Sequence, residues 1–141
     1  MSVDGVSTLG NAERPKISLQ RSADFSIDEE RRLVTVKFGR MVTVEDIADY
    51  AKRLLAHPKF QPSFSEITDL REAEELDLGA YDFLRLADQI DPFLPDAKRA
   101  FVVRTSVQLH AARLHKMLRS KRDIEIFESF EAAEEWIHPR S

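Results

Sequence analysis

The sequence predicts an α/β domain with a mostly parallel sheet of about five strands, an antiparallel hairpin at its N-terminal side and four helices. Three observations support this class. The chain has 141 residues, of which 43% are hydrophobic and 33% are charged, as expected for one folded domain with a core. Apolar runs typical of strands alternate with stripes of helical spacing. After the hairpin this alternation favours parallel strands joined by right-handed crossovers.

The first patterned segment is the hairpin. Phe25 and Ile27 alternate with polar residues, a charged turn follows at residues 28–32, and a second apolar strand comes after it. This order is typical of two antiparallel strands. Residues 1–15 have no periodic pattern, so we expect a flexible tail there and a single domain over residues 16–141.

The first helix is predicted to begin after Thr43 and to stop before Pro58. Thr43 and Asp46 resemble a capping box in which Asp replaces the usual Glu. The apolar residues recur at helical spacing and would form one stripe: Val44, Ile47, Ala48, Ala51, Leu54 and Leu55.

The remaining elements follow the same alternation. Strand patterns occur at Phe64–Leu70, Ala100–Val103 and Ile124–Phe127, and helical stripes at Ala80–Ile90, Val107–Leu118 and Phe130–Ile137. The central position of each stripe predicts one continuous core, made of Val36, Ile47, Ala51, Ile67, Phe101, Val103, Ala111, Leu114 and Ile126.

Composition excludes several classes of function. Lys and Arg number 21 against 25 Asp and Glu, a net charge of −4, so we expect no nucleic-acid binding; the basic residues of 113–122 complement a helix dipole instead. The chain has no cysteine, which removes thiolate metal sites and cysteine nucleophiles and fits a reducing cytoplasm. No apolar run reaches the ~18 residues of a membrane span, and a secretory signal pattern is lacking.

The sequence contains no recognisable catalytic or metal-binding motif. His110 and His115 would lie about 140° apart around a helix, so we expect His110 to border the core and the other histidines to be solvated. Clustered glycines and a Gly-x-Ser-x-Gly motif are also missing. We predict no metal, no cofactor and no enzymatic activity. The enzyme alternative rests on Asp69, Arg71 and Arg104 at the carboxyl ends of strands.

An ordered set of segments spans about Ala23 to Ile137. They are Ile27-Asp28 with Leu33-Val34-Thr35-Val36, Gly39 with Thr43-Val44-Glu45-Asp46, Glu66-Ile67-Thr68-Asp69-Leu70-Arg71, Arg99-Ala100-Phe101-Val102-Val103, and Ile126-Phe127-Glu128-Ser129 before Ala132-Ala133-Glu134-Glu135-Trp136. Together they resemble the SpoIIAA-like proteins, relatives of the STAS domains of anti-sigma-factor antagonists and sulfate transporters. The resemblance implies a small bacterial α/β domain that binds a partner or an apolar ligand and carries no catalytic apparatus.

The resemblance also bears on regulation. STAS antagonists carry an Asp-Ser-Ser-Gly type motif whose serine is phosphorylated, and the nearest match here is Asp77-Leu78-Gly79. The serine is absent, and no Ser or Thr occurs between Asp69 and Arg104. A phosphoserine switch in this loop is therefore excluded. Asp77 would act either as a fixed negative charge or as the cap of the next helix.

These features predict a non-enzymatic binding or regulatory module that docks a protein partner. The alternative is a carrier or sensor of a small apolar or lipid-like ligand, as in the related CRAL-TRIO fold. Phe60, Phe64, Phe93 and Leu94 would then line the mouth of a pocket; otherwise they close the ends of an ordinary core. Homodimer formation is left open.

The predicted binding surface lies at the carboxyl edge of the sheet. Arg71 and Arg104 each follow a strand, and Thr105 and Ser106 precede a helix. Two guanidinium groups beside a helix N-terminus favour an anionic ligand or an acidic partner residue. The structural alternative is that the arginines pair with the carboxylates of Asp69, Glu72 or Glu128 and that Ser106 only caps its helix.

Overall fold

The computed structural model describes residues 23–77, 91–119 and 123–140. The strands are β1 (Ala23–Asp28), β2 (Leu33–Phe38), β3 (Met41–Thr43), β4 (Ser65–Asp69), β5 (Glu75–Asp77), β6 (Arg99–Val102) and β7 (Ile124–Phe127). The helices are α1 (Val44–Leu55), α2 (Ser106–Leu118) and α3 (Phe130–Ile137). The described residues therefore contain three helices. The fourth helix, predicted at Ala80–Ile90, and the predicted tail lie outside them.

The main sheet has five strands in the order β1-β2-β4-β6-β7. The β1–β2 pair is antiparallel, and the other three pairs are parallel. The predicted mixed α/β fold, with a five-stranded sheet and an N-terminal hairpin, is confirmed for the described residues.

A second, two-stranded sheet was not predicted. β3 and β5 pair in parallel, with Val42 opposite Leu76. The acidic run around Glu75 thus forms part of a sheet, in which Val42 is buried and Leu76 packs against the same core. The backbone N–H groups of Glu74 and Glu75 also donate to the carbonyl of Arg40, at 2.7 and 2.8 Å.

The core consists of two clusters rather than one. Val36 and Val103 belong to the cluster on the face of the sheet covered by α1 and α2, whereas Ile67 and Val102 belong to the cluster on the face covered by α3. The predicted continuous core is therefore wrong, because alternate residues of a strand point to opposite faces. Each cluster needs its own layer of helix.

The capping box of α1 is confirmed. Oγ1 of Thr43 accepts a hydrogen bond from the backbone N–H of Asp46 at 3.2 Å, and Oδ2 of Asp46 accepts one from the N–H of Thr43 at 2.9 Å. The apolar stripe of α1 is only partly right, since Leu55 is exposed and Tyr50, which was not in the stripe, is buried.

α2 is rotated relative to its predicted orientation. Val107 and Met117, both assigned to the apolar stripe, are 55% and 66% exposed, whereas Gln108 and Ala112 are 0% and 1% exposed. The buried face is thus centred on Gln108 and Ala112. A polar side chain occupies this face because its amide makes specific hydrogen bonds to the loop after β4.

Candidate functional site

A cavity of about 90 Å³ lies between α1, α2 and the sheet face that these helices cover. One wall is apolar and includes Phe38, Val42, Ile47, Leu70, Leu76 and Phe101. The other wall is polar and includes Tyr50, Glu66, Thr68, Asp91, Arg99 and Arg119. An apolar cavity with a few convergent polar groups is typical of a small-molecule site.

The strand β4 supplies part of the polar wall. Its side chains alternate between the two sheet faces, so that Glu66, Thr68 and Leu70 line the cavity while Ile67 packs in the cluster under α3. Glu66 is the register partner of Arg99 at the start of β6. The parallel register therefore places a carboxylate and a guanidinium side by side on the cavity face.

Five buried polar side chains form one hydrogen-bonded network. The hydroxyl of Tyr50 donates to Oε2 of Glu66 at 2.6 Å, and Nε of Arg99 donates to Oε1 of Glu66 at 3.0 Å. Nη1 of Arg99 donates to both carboxylate oxygens of Asp91, at 3.1 and 2.9 Å. Nη1 of Arg119 donates to the same carboxylate. The network links α1, β4, β6 and the end of α2.

Because the network is buried, it stabilises the fold only when each charged group keeps its hydrogen-bond partners. The side chains of Arg99 and Glu66 are 9% and 3% exposed. Two buried charges repay their lost hydration only when their hydrogen bonds are satisfied, and removing one partner typically costs about 3–5 kcal/mol. The network is therefore a rigid wall for the cavity.

The pKa values follow from this environment. Burial raises the pKa of Tyr50 well above its usual value, and the negative charge of Glu66 adds to the effect. Burial acts to lower the pKa of Arg99, but the carboxylates of Glu66 and Asp91 outweigh it and the pKa is raised. Tyr50 thus keeps its proton and Arg99 its charge.

Sequence reasoning missed this site. Arg119 was counted only among the basic residues that complement a helix dipole, whereas the structure buries it against the carboxylate of Asp91. The available signal was a pair of opposite charges, with Glu66 in one predicted strand and Arg99 immediately before the next.

The histidine prediction was wrong for His110 and His115. His110 is exposed, whereas His115 is partly buried, lines the cavity and lies 5.1 Å from the ring of Phe101, centroid to centroid. Because α2 is rotated relative to its predicted orientation, His115 rather than His110 lies against the core. Within the described residues no cluster of three potential metal ligands occurs.

The four loop residues considered for a pocket mouth do not line the cavity. Phe64 and Phe93 are buried, Phe60 packs between them with ring centroids 6.3 and 5.2 Å away, and Leu94 is exposed. The aromatic residues therefore close one end of the core, as the alternative interpretation predicted.

At the carboxyl edge of the sheet, Arg71 and Arg104 lie next to each other. Nε and Nη2 of Arg104 donate to the backbone carbonyl of Arg71, at 3.2 and 2.9 Å. The guanidinium of Arg71 forms two hydrogen bonds with the carboxylate of Asp69, at 3.0 and 2.9 Å. These hydrogen bonds from Arg71 outweigh the effect of burial and lower the pKa of Asp69. The two arginines thus contact each other, and Arg71 pairs with Asp69, as in the structural alternative.

The N-terminus of α2 is capped by Thr105. Oγ1 of Thr105 accepts from the N–H of Gln108 at 3.2 Å, and Ser106 is the first residue of the helix. Ser106 is exposed. The alternative in which Ser106 caps the helix is therefore wrong, because Thr105 takes this position. An anion site formed by Arg71, Arg104, Thr105 and Ser106 stays a prediction.

Asp77 is the last residue of β5 and the register partner of Thr43. The helix that it was predicted to cap lies outside the described residues. Its role as a fixed charge or a cap stays a prediction.

Comparison with solved structures places the fold. The chain is similar to the crystal structure of an uncharacterized protein of the DUF3478 family, with a SpoIIAA-like fold, from Shewanella loihica. The alignment has a TM-score of 0.56 and 19% identity, and it covers 82% of this chain and 91% of the other. The chain has a SpoIIAA-like fold.

No family model and no curated protein match this chain. The SpoIIAA-like neighbour is itself uncharacterized, so the chemistry of the site carries the functional argument. Among the described residues no helix is long and apolar enough to span a membrane.

Proposed function

We propose that this SpoIIAA-like domain is a non-enzymatic binding module that takes a small molecule in the cavity between α1, α2 and the sheet. The observation that carries the proposal is the cavity itself, which is lined by apolar side chains and by a buried polar network. This arrangement favours the ligand-carrier alternative, since a filled core would have favoured a docking module alone.

The state of the polar network supports binding rather than catalysis. Each carboxylate accepts hydrogen bonds from cationic or phenolic donors: Glu66 from Tyr50 and Arg99, and Asp91 from Arg99 and Arg119. A general base needs a pKa near the working pH and access to the proton it takes. Both carboxylates are already occupied by these donors, so the network suits a fixed wall of the cavity.

Cavity filling tests the proposal. Ala111 lines the cavity, and Ala111→Phe would occupy it, while His110→Phe adds the same ring at an adjacent exposed position. We expect small compounds to shift the amide NMR signals of Thr68 and Ala112 in the wild type and in His110→Phe, and not in Ala111→Phe. Ala111→Val is the milder variant if Phe unfolds the chain. Equal shifts in the filled variants, or none in the wild type, would overturn the proposal.

A second candidate function is docking of an acidic protein partner at the carboxyl edge. The guanidinium of Arg104 is exposed and its hydrogen bonds go to a neutral carbonyl; within the described part of the chain no carboxylate pairs with it. Its uncompensated charge beside the start of α2 favours an acidic side chain. With a partner captured by cross-linking, Arg104→Ala should weaken binding by about tenfold or more, whereas Arg113→Ala, on the same helix, should not.

A further inference from the structure

Two polar groups that line the cavity have no hydrogen-bond partner within the described residues. Thr68 and Arg99 are 5% and 8% exposed. Within the described residues Oγ1 of Thr68 makes no hydrogen bond, and Arg99 uses Nε and Nη1 but not Nη2. Both side chains line the cavity, so a molecule in the cavity is the partner that these two polar groups can reach.

We propose that the cavity binds a compact neutral molecule whose oxygen atom accepts hydrogen bonds from Arg99 and Thr68 and whose remaining atoms are apolar. This inference rests on the proposed function and names the ligand class. A guanidinium only donates hydrogen bonds, so its free Nη2 requires an acceptor. A carbonyl oxygen, with two lone pairs, can accept from both groups.

The two donors lie on one face of the sheet. Thr68 follows Glu66 by two positions in β4, and Glu66 is the register partner of Arg99 in β6. Residues two positions apart in a strand share a face, and long side chains reach diagonal neighbours on adjacent strands. One ligand oxygen at this end of the cavity would accept hydrogen bonds from both side chains.

The charge of the wall selects a neutral ligand. Among the described residues, the carboxylates of Glu66 and Asp91 balance the guanidinium groups of Arg99 and Arg119. A carboxylate or ammonium ligand would bring an unbalanced charge into this buried site, and that charge would lose its hydration without an opposite partner. A carbonyl adds no charge.

The size and apolar wall of the cavity select a short ligand. A cavity of roughly 150 Å³ accommodates benzene, and this cavity measures about 90 Å³. The ligand body would contact Phe38, Val42, Ile47 and Phe101. A short aliphatic ketone, aldehyde or amide meets these requirements.

Matched probes test the ligand class. Butanone, propionate, sec-butylammonium and 2-methylbutane share one branched skeleton and differ in the group at one end. We expect titrations followed by amide NMR shifts at Thr68 and Phe101 to give the tightest binding for butanone. Propionate and sec-butylammonium should bind at least about tenfold more weakly, which corresponds to about 1.4 kcal/mol. The apolar 2-methylbutane should also bind more weakly than butanone.

Thr68→Val tests the hydroxyl. The substitution keeps the shape of the side chain and removes an oxygen that has no partner within the described residues. We expect butanone to bind about three- to tenfold more weakly, a loss typical of one hydrogen bond, while the binding of 2-methylbutane stays the same. The matched control is Thr35→Val, on β2, because Thr35 is partly exposed and does not line the cavity.

A stability measurement separates this role from a structural one. The hydroxyl of Thr68 makes no hydrogen bond within the described residues, so its removal costs the fold none, and Thr68→Val should unfold at the same or a higher urea concentration than the wild type. A clear loss of stability would mean that the hydroxyl serves the fold, and the inference would fail.

The outcomes distinguish the two proposals. If none of the probes binds, the cavity is not a ligand site and the proposed function fails with the inference. If propionate, sec-butylammonium or 2-methylbutane binds as well as butanone, the cavity is a ligand site but the neutral-oxygen class is wrong. Unchanged butanone binding in Thr68→Val would also overturn the inference.

Discussion

Glu66 and Arg99 are register partners on neighbouring parallel strands, and Nε of Arg99 lies 3.0 Å from Oε1 of Glu66. The same guanidinium binds Asp91 through Nη1. One side chain therefore compensates two buried carboxylates. Loss of the Arg99 side chain would leave the carboxylates of Glu66 and Asp91 with fewer hydrogen-bond donors.

We predict that Arg99→Met destabilises the domain by about 3–5 kcal/mol, the typical cost of removing one partner from a buried ion pair. The control is Arg40→Met, because Arg40 is 79% exposed and pairs with Glu74 at the surface. Such exposed pairs contribute about 1 kcal/mol or less. Urea denaturation measures both losses. Similar losses for the two variants would show that the buried pair does not stabilise the fold.

A pH dependence follows from the raised pKa of Tyr50. The unfolded chain releases the phenol proton near pH 10, whereas the native protein holds it to higher pH. The stability due to this group is complete below about pH 10 and falls as the pH rises toward the native pKa, by at most about 1.4 kcal/mol per pH unit.

Tyr50→Phe should remove this dependence. The variant would be less stable at neutral pH, because Glu66 loses the hydrogen bond from the phenol, but its stability would fall less steeply above about pH 10. Urea unfolding at a series of pH values between about 8 and 11 compares the two slopes. Parallel slopes would indicate that Tyr50 ionises normally in the native state.

The amide of Gln108 holds the start of α2 against the loop after β4. Nε2 donates to the carbonyls of Arg71 and Ala73, at 3.2 and 2.7 Å, and Oε1 accepts from the N–H groups of Arg104 and Thr105, at 2.6 and 3.2 Å. The amide group thus uses both donor hydrogens and both lone pairs.

Gln108→Leu should therefore be severely destabilising. Backbone groups at both ends of the contact would lose their partners, and each such group costs about 1–3 kcal/mol when it stays buried. Gln61→Leu is the control, since Gln61 is exposed. Thermal unfolding should show a large fall for Gln108→Leu alone, and a fall no greater than that of the control would contradict the role of the amide.

The main sheet was predictable because its strands carry local signals. Apolar alternation identified β1 and β2, and a short apolar run identified β6. The two-stranded sheet was not predictable, because β3 and β5 have three residues each and their pairing is not local. The rotation of α2 was missed because Gln108, a polar residue, is at the centre of its buried face.

The cavity site depended on contacts that local patterns do not show. Tyr50 and Glu66 are 16 positions apart, Glu66 and Arg99 are 33 apart, and Asp91 and Arg119 are 28 apart. By contrast, the meeting of Arg71 and Arg104 was predictable because both follow parallel strands of one sheet. The sequence predicts a site whose residues are brought together by the order of the strands. It does not predict a site whose residues are brought together by the rotation of a helix about its axis.

The turn between β1 and β2 contains Arg32 with φ of 54°, the one non-glycine residue of the described chain with a positive φ. Its guanidinium contacts the hydroxyl of Ser63 and lies 5.1 Å from the centre of the Phe64 ring. Any truncation of Arg32 removes these contacts, so a comparison of the stability of one variant with that of the wild type would mix their loss with the effect of the backbone conformation. Arg32→Gly and Arg32→Ala both lack the guanidinium, so the difference between their stabilities reports the backbone conformation alone.

We predict that Arg32→Gly is more stable than Arg32→Ala by about 1 kcal/mol, because glycine adopts the left-handed conformation without the steric cost of a Cβ atom. The order should reverse at the neighbouring position, where Arg31→Ala should be at least as stable as Arg31→Gly, since Arg31 does not have a positive φ and glycine there only adds unfolded-state entropy. Urea denaturation of these variants measures both differences. If alanine were the more stable residue at position 32 as well, the left-handed turn would not be the conformation that the hairpin adopts in solution.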